Sequence, residues 1–239
     1  MADDLRIMTA VAPLPETVEP AAVLVDKPQG ITSFGVVKKV RWALGVKKVG
    51  HAGTLDPMAT GLLIVLVGRN ATRQQDRFMG LPKTYTGTVR LGQTTASYDA
   101  DAPVEEEHDA SHVTDGQIEA ALADFRGDIL QRPPVYSAIK RGGERLYKKA
   151  RRGEDVEVEP RPTSVYSFEV TGRRGDDVDV RVECSKGTYI RSLAHDLGQA
   201  LGVGGHLVAL RREAIGPFEA REAFALDALV DAARQPANA

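Results

Sequence analysis

The chain has one cysteine, Cys184, among its 239 residues. A lone thiol excludes an intramolecular disulfide and a cysteine-rich metal site, and its strand-like surroundings read as a buried structural position. Long apolar runs are lacking too. The longest, residues 62–67, is far short of the ~20 residues that a bilayer-spanning helix needs. The opening Met1-Ala2-Asp3-Asp4 lacks the basic-then-apolar layout of a secretion signal, so the sequence predicts a cytoplasmic protein without membrane contact. Internal repeats and low-complexity tracts are absent. There is also little excess charge of either sign, the formal net charge being -2.

That near-zero total conceals a segregation of sign along the chain. Between residues 34 and 90 the cations Lys38, Lys39, Arg41, Lys47, Lys48, Arg69, Arg73, Arg77, Lys83 and Arg90 face only Asp56 and Asp76. Residues 99–128 reverse the balance, with Arg126 the one lysine or arginine among many carboxylates. Basic character returns at Lys140, Arg141, Arg145, Lys148, Lys149, Arg151 and Arg152, interleaved with Tyr136 and Tyr147. Cations mixed with aromatics suit phosphates and stacked bases, although a solvated basic face has the same composition.

Residues 1–20 hold three prolines and no periodicity, which predicts a flexible tail. Residues 21–26 read as a strand. Thr32 or Ser33 can cap a helix whose Phe34, Val37, Val40 and Leu44 recur at helical spacing. A buried strand is predicted at 62–67, a short helix at 71–79 and a half-buried strand at 83–91. The acidic block is expected as a loop, followed by a helix that Thr114 caps. Residues 127–161, with Pro133-Pro134, Gly142-Gly143 and Gly153, read as an exposed insertion; strands resume at 165–170 and 178–184. Helices and strands interleave irregularly, so the fold class is α+β on a mixed, mainly antiparallel sheet. The expected division is a tail at 1–20, one domain at 21–218 carrying the insertion, and a helix and tail at 219–239.

The segment Gly50-His51-Ala52-Gly53-Thr54-Leu55-Asp56-Pro57-Met58-Ala59-Thr60-Gly61 sets one carboxylate among glycines and small residues directly before a strand. Glycines at such points allow positive φ and close approach of a ligand to the main chain. By itself such a loop is more often a structural turn that its Asp caps. No second His or Cys stands at metal-ligand spacing to His51.

This segment resembles the catalytic motif of the TruB family of tRNA pseudouridine synthases, and five further segments agree in order. They are Val25-Asp26-Lys27-Pro28-Gln29-Gly30-Ile31-Thr32-Ser33, then Lys83-Thr84-Tyr85 with Arg90-Leu91-Gly92, and Pro133-Pro134-Val135-Tyr136-Ser137-Ala138. Cys184 to Leu193 and Leu210-Arg211-Arg212 complete the set. The resemblance implies the pseudouridine synthase fold and conversion of uridine to pseudouridine at position 55 in the tRNA T-arm, with no cofactor and no metal. It also implies site roles. Asp56 is the catalytic carboxylate, Arg191 its partner, Tyr85 the stacking residue, and His51 a neighbour of the flipped nucleotide. Tyr189 and Leu210 become pocket walls, and Lys27 a support for the pocket or a phosphate. Lys140, Arg141, Arg145, Lys148 and Arg151 become RNA contacts on a thumb-like insertion. The family's separate C-terminal RNA-binding domain is expected to be mostly lacking after residue 212, which argues against a guide-RNA-dependent relative and for a monomer with no obligate protein partner. A non-catalytic tRNA-binding or tRNA-folding factor using the same pocket is the competing reading; it gives no reason for a carboxylate beside a polyanion.

Overall fold

The computed structural model describes residues 5–15, 17–137, 140, 141, 144–146, 152 and 158–234, with backbone alone at 140, 141, 144 and 145. Strands β1 (Arg6–Met8) and β2 (Ala21–Lys27) precede helix α1 (Ser33–Leu44). Next come β3 (Val49–Ala52), β4 (Thr60–Val67), α2 (Arg69–Arg73) and α3 (Gln75–Met79). They are followed by β5 (Lys83–Leu91), β6 (Gln93–Thr95), β7 (Val104–Glu107), α4 (Asp115–Leu122) and β8 (Gly127–Gln131). After β9 (Lys140–Arg141) and β10 (Glu144–Arg145) run β11 (Arg161–Arg174), β12 (Asp177–Cys184), α5 (Ile190–Ala200) and β13 (Gly205–Ile215). β14 (Phe218–Glu219), β15 (Phe224–Ala225) and α6 (Leu226–Arg234) close the described chain. The elements fall into two compact units, Met1–Tyr85 with Arg211–Ala239 and Thr86–Leu210, so the boundary lies inside β5 and β13.

In the first unit β4 pairs antiparallel with β2 and β3, and parallel with β13 at Arg211↔Thr60 and Arg212↔Gly61. The unbroken apolar run of β4 follows from burial of both its faces. Leu63, Val65 and Val67 join Val23, Val25, Val36, Val40 and Leu229 in one cluster, while Leu62, Ile64 and Leu66 join Leu24, Ala52, Phe78 and Ile215 in another. Helix α1 starts where Thr32 Oγ1 accepts the Gly35 N–H at 2.9 Å, one of the two caps expected, and ends at Gly45 in the left-handed region.

In the second unit β11 pairs antiparallel with both β12 and β8. The Thr114 cap of α4 is a full capping box with Gln117. Parallel and antiparallel ladders with flanking helices make the fold α+β.

Four expectations are corrected. The presumed tail contains β1, paired in parallel with β2 at Arg6↔Ala21, and Leu5, Met8 and Val18 are buried. Isolated anchors among prolines leave no periodic trace. The acidic block is not all loop, because β6 and β7 pair across it at Gln93↔Glu107. The expected insertion starts later than residue 127: Gly127↔Val165 to Gln131↔Arg161 are sheet pairs. Asp128 and Leu130 on that edge strand are exposed, so it shows no apolar alternation. The helix expected at 71–79 is divided at Gln74 into α2 and α3.

Gly61 is fixed by a close approach. At φ +96°, a Cβ on it would stand 2.3 Å from the Arg212 carbonyl oxygen and 2.7 Å from its nitrogen. Gly61→Ala is therefore expected to cost about 2 kcal/mol in urea unfolding, through strain and displacement of the neighbouring strand. An unchanged midpoint would contradict the packing described for this position.

Candidate active site

Asp56 lies in the first unit, in the loop joining β3 to β4, and is partly exposed. Its two chain neighbours are pinned by the segment that follows β2. Ser33, itself buried, brackets Leu55: the Leu55 N–H donates to Ser33 Oγ at 2.8 Å, and that hydroxyl donates to the Leu55 carbonyl at 3.0 Å. On the other side the Pro57 carbonyl accepts from Gly30 N–H at 2.8 Å and from Lys27 Nζ at 3.2 Å. Lys27 is fully buried and also donates to the carbonyls of Pro28 at 2.9 Å and Ile31 at 2.7 Å. A buried ammonium is costly unless such partners surround it. Its position is that of a clamp between the two segments.

Arg212 closes the loop from β13. It is 1% exposed, and it donates through Nε to Leu62 O at 2.7 Å and through Nη2 to Gly53 O at 3.0 Å, one carbonyl at each end of the loop. Next to it, Arg211 forms a two-pronged pair with Asp26 at 3.0 and 2.8 Å. With backbone anchors on Leu55 and Pro57 and its ends bridged, the loop presents Asp56 on a rigid support.

His51 lies on β3. Burial, and secondarily the Arg212 charge, pushes its pKa below the ordinary imidazole value, so the ring is neutral at pH 7 and suited to stacking or hydrogen bonding. Its buried Nδ1 has no hydrogen-bond partner among the described residues. Tyr85 is the last residue of the first unit, half-buried on β5. Beside Gly50, Lys48, Arg69, Arg73, Thr72 and Gln75 line a basic cavity.

Arg191, in the first turn of α5, belongs to the second unit. It is buried against Asp99, with Nη1 3.3 Å from Oδ2, and it donates to the carbonyls of Ser97 at 2.9 Å and Tyr136 at 3.1 Å. The other Asp99 oxygen accepts from the Ser97 hydroxyl at 2.6 Å and from the Asp101 N–H at 3.1 Å. Two buried charges held this way keep one geometry. Tyr189 immediately precedes α5, and the Gln131 amide grips its backbone: the Tyr189 N–H donates to Oε1 at 2.7 Å, and Nε2 donates to its carbonyl at 3.0 Å. Leu210 is buried at the end of the second unit. The segment Pro133-Pro134 to Ser137 contributes the Tyr136 carbonyl.

Residues 41–190 match the profile described as TruB family pseudouridylate synthase (N terminal domain), and 191–238 that of the tRNA pseudouridylate synthase B C-terminal domain. The chain belongs to the TruB family. It is 51% identical over 215 residues to tRNA pseudouridine synthase B of Arthrobacter sp. (strain FB24), covering 87% of this chain and 70% of that protein. It is 50% identical over 219 residues to that of Mycolicibacterium paratuberculosis (strain ATCC BAA-968 / K-10), covering 90% and 74%. Among solved structures, a chain of a Cbf5-Nop10-Gar1 complex matches with TM-score 0.71 at 33% identity, covering 96% of this chain and 59% of that one. A chain of an H/ACA RNP bound to a substrate RNA containing 2'-deoxyuridine gives TM-score 0.66 at 32% identity, with 88% and 52% covered. The chain thus spans little more than half of these structural relatives. The match at 191–238 also begins well before the boundary at 219 expected from the sequence.

The TruB motifs divide by task. The 25–33 and 210–212 segments hold the Asp56 loop, and the 184–193 segment carries Arg191. Asp99 escaped the sequence reading because it is one carboxylate in a run of many; the available signal was its place between Ser97 and Asp101, which form its turn. Lys148 and Arg151 lie outside the described residues, as do the side chains of Lys140, Arg141 and Arg145; the backbones of those three fall on β9 and β10, which pair antiparallel.

Asp196 on α5 is pushed up from 3.8 to about 6 by burial, with the Arg132 charge opposing. A raised carboxylate value means that the folded state holds the proton more tightly, so this stabilising contribution is complete below the unfolded value and is lost as pH rises through 6. Asp196→Asn is accordingly expected to raise the urea midpoint at about pH 8 and leave it unchanged at about pH 3.5. Equal shifts at both would contradict this assignment.

Proposed function

We propose that this TruB-family chain isomerises uridine to pseudouridine at position 55 in the T-arm of tRNA. The observation that carries the reading is the presentation of Asp56: a carboxylate on a loop clamped by Ser33, Lys27 and Arg212. The tRNA pseudouridine synthase B names of relatives at about half identity support the substrate class.

The reaction breaks the C1′–N1 bond of uridine and forms C1′–C5, while C5 loses its proton and N1 gains one, so atoms and electrons balance without an oxidant or reductant. Asp56 is the catalytic carboxylate on which this exchange depends. The target base lies in a folded arm and must be flipped out, at a cost of a few kcal/mol. Tyr85 stacks on it, His51 supports the flipped nucleotide, and Tyr189 and Leu210 wall the pocket. A pairing of Arg191 with Asp56, read from the motifs, is part of the same proposal and keeps the carboxylate ionised.

The cations Lys48, Arg69 and Arg73 and those of the 132–152 segment bind phosphates, so affinity falls as salt rises. The chain acts alone, as a cytoplasmic monomer without guide RNA. Mapping pseudouridine in an unmodified tRNA transcript tests the reading. One modified site in the T-arm is expected; product elsewhere, or a requirement for a second RNA, would overturn it.

A further inference from the structure

Tyr98 is the sole non-glycine residue with positive φ, at 62°, among the described residues. That conformation is comfortable for glycine and strained for tyrosine. Something must hold it there. The Tyr98 ring lies flat on His195, with centroids 3.8 Å apart and an interplanar angle of 11°. His195 sits one helical turn after Arg191 on α5, so both project from the same side of the helix.

Three consecutive residues therefore address one helix. The Ser97 carbonyl accepts from Arg191, the Tyr98 ring stacks on His195, and the Asp99 carboxylate pairs with Arg191. On its other side this segment is stitched to Leu207: Leu207 N–H donates to Tyr98 O at 3.0 Å and Ala100 N–H to Leu207 O at 3.0 Å. The buried His195 Nδ1 makes no hydrogen bond among the described residues, so the ring's face, and not that edge, is what the fold uses.

We propose that the Tyr98–His195 stack is a clasp that positions Asp99, and through it the Arg191 guanidinium, for the uridine isomerisation. Both are positioning residues: they act through the Asp99–Arg191 pair and touch no reacting atom. The proposal rests on the functional reading above for its kinetic consequence, and on geometry alone for its structural one. In a chain without the stack the left-handed turn at residue 98 relaxes, and the Asp99 carboxylate loses its fixed direction.

Two measurements test it on the full chain. In single-turnover reactions His195→Ala and Tyr98→Ala are each expected to slow pseudouridine formation by about tenfold, with tRNA affinity within about twofold and His195→Phe within about threefold of wild type. In an Asp99→Asn background His195→Ala should add no further loss. In amide exchange, His195→Ala should speed exchange across residues 98–101 by about tenfold and His195→Phe should restore protection. Tyr98→Ala, which removes the stack from its other side and keeps a β-carbon at the left-handed position, serves if His195→Ala does not fold. Undiminished rates, losses that persist unaltered in the Asp99→Asn background, or unchanged exchange would overturn the clasp. A wild-type chain that forms no pseudouridine would defeat the functional reading instead, and exchange alone would then decide the clasp.

Discussion

Asp56→Asn is expected to lower single-turnover pseudouridine formation by about 10⁴-fold, with tRNA affinity altered by less than about threefold. The amide is nearly the shape of the carboxylate, and the loop's described anchors are backbone atoms of Gly53, Leu55 and Pro57 together with Leu62. The variant therefore keeps those backbone anchors and loses the charge and nucleophilicity of one side chain. Filter binding and single-turnover kinetics on the same transcript separate the two quantities. A rate within tenfold of wild type would remove Asp56 from the chemistry, whatever its conformation.

Lys27→Met is expected to reduce the rate by about a hundredfold while leaving both affinity and its salt dependence unaltered. The side chain has no exposed surface, and its ammonium reaches the carbonyls of Pro28, Ile31 and Pro57. Its absence leaves the Gly30 N–H as the described tie between Pro57 and the 28–31 turn, and a misplacement of about 1 Å at a reacting group is enough for a loss of that size. Stability is the wrong readout. Removing a buried charge helps while stranding carbonyls hurts, and the two terms oppose. A lysine that served a phosphate would show the opposite pattern, with weaker binding, a shallower salt slope and an intact rate at saturating RNA.

The central strand and the helix caps were legible because local chemistry dictates them. Residues 62–67 are apolar without interruption, and Thr32 and Thr114 stand at cap positions. The motifs named the loop, yet gave no reason why Val25 to Ser33 should accompany it. The structure supplies one: Ser33 and Lys27 hold the backbone on either side of Asp56. What stayed illegible depends on contacts distant in sequence. β1 is three residues held by β2, β8 is an exposed edge strand, and Asp99 meets Arg191 across more than ninety residues of chain with only its neighbours to mark it. The left-handed backbone of Tyr98 is likewise unreadable, since tyrosine is among the residues least expected there.

On the proposed function this chain moves the glycosidic bond of uridine from N1 to C5. Release of tritium from a tRNA transcript carrying uridine labelled at C5 tests it most directly, because forming the C1′–C5 bond expels that hydrogen. The wild-type chain, without added cofactor, metal or second RNA, is expected to release tritium equivalent to one uridine per transcript. No release under conditions where the transcript is bound would contradict it.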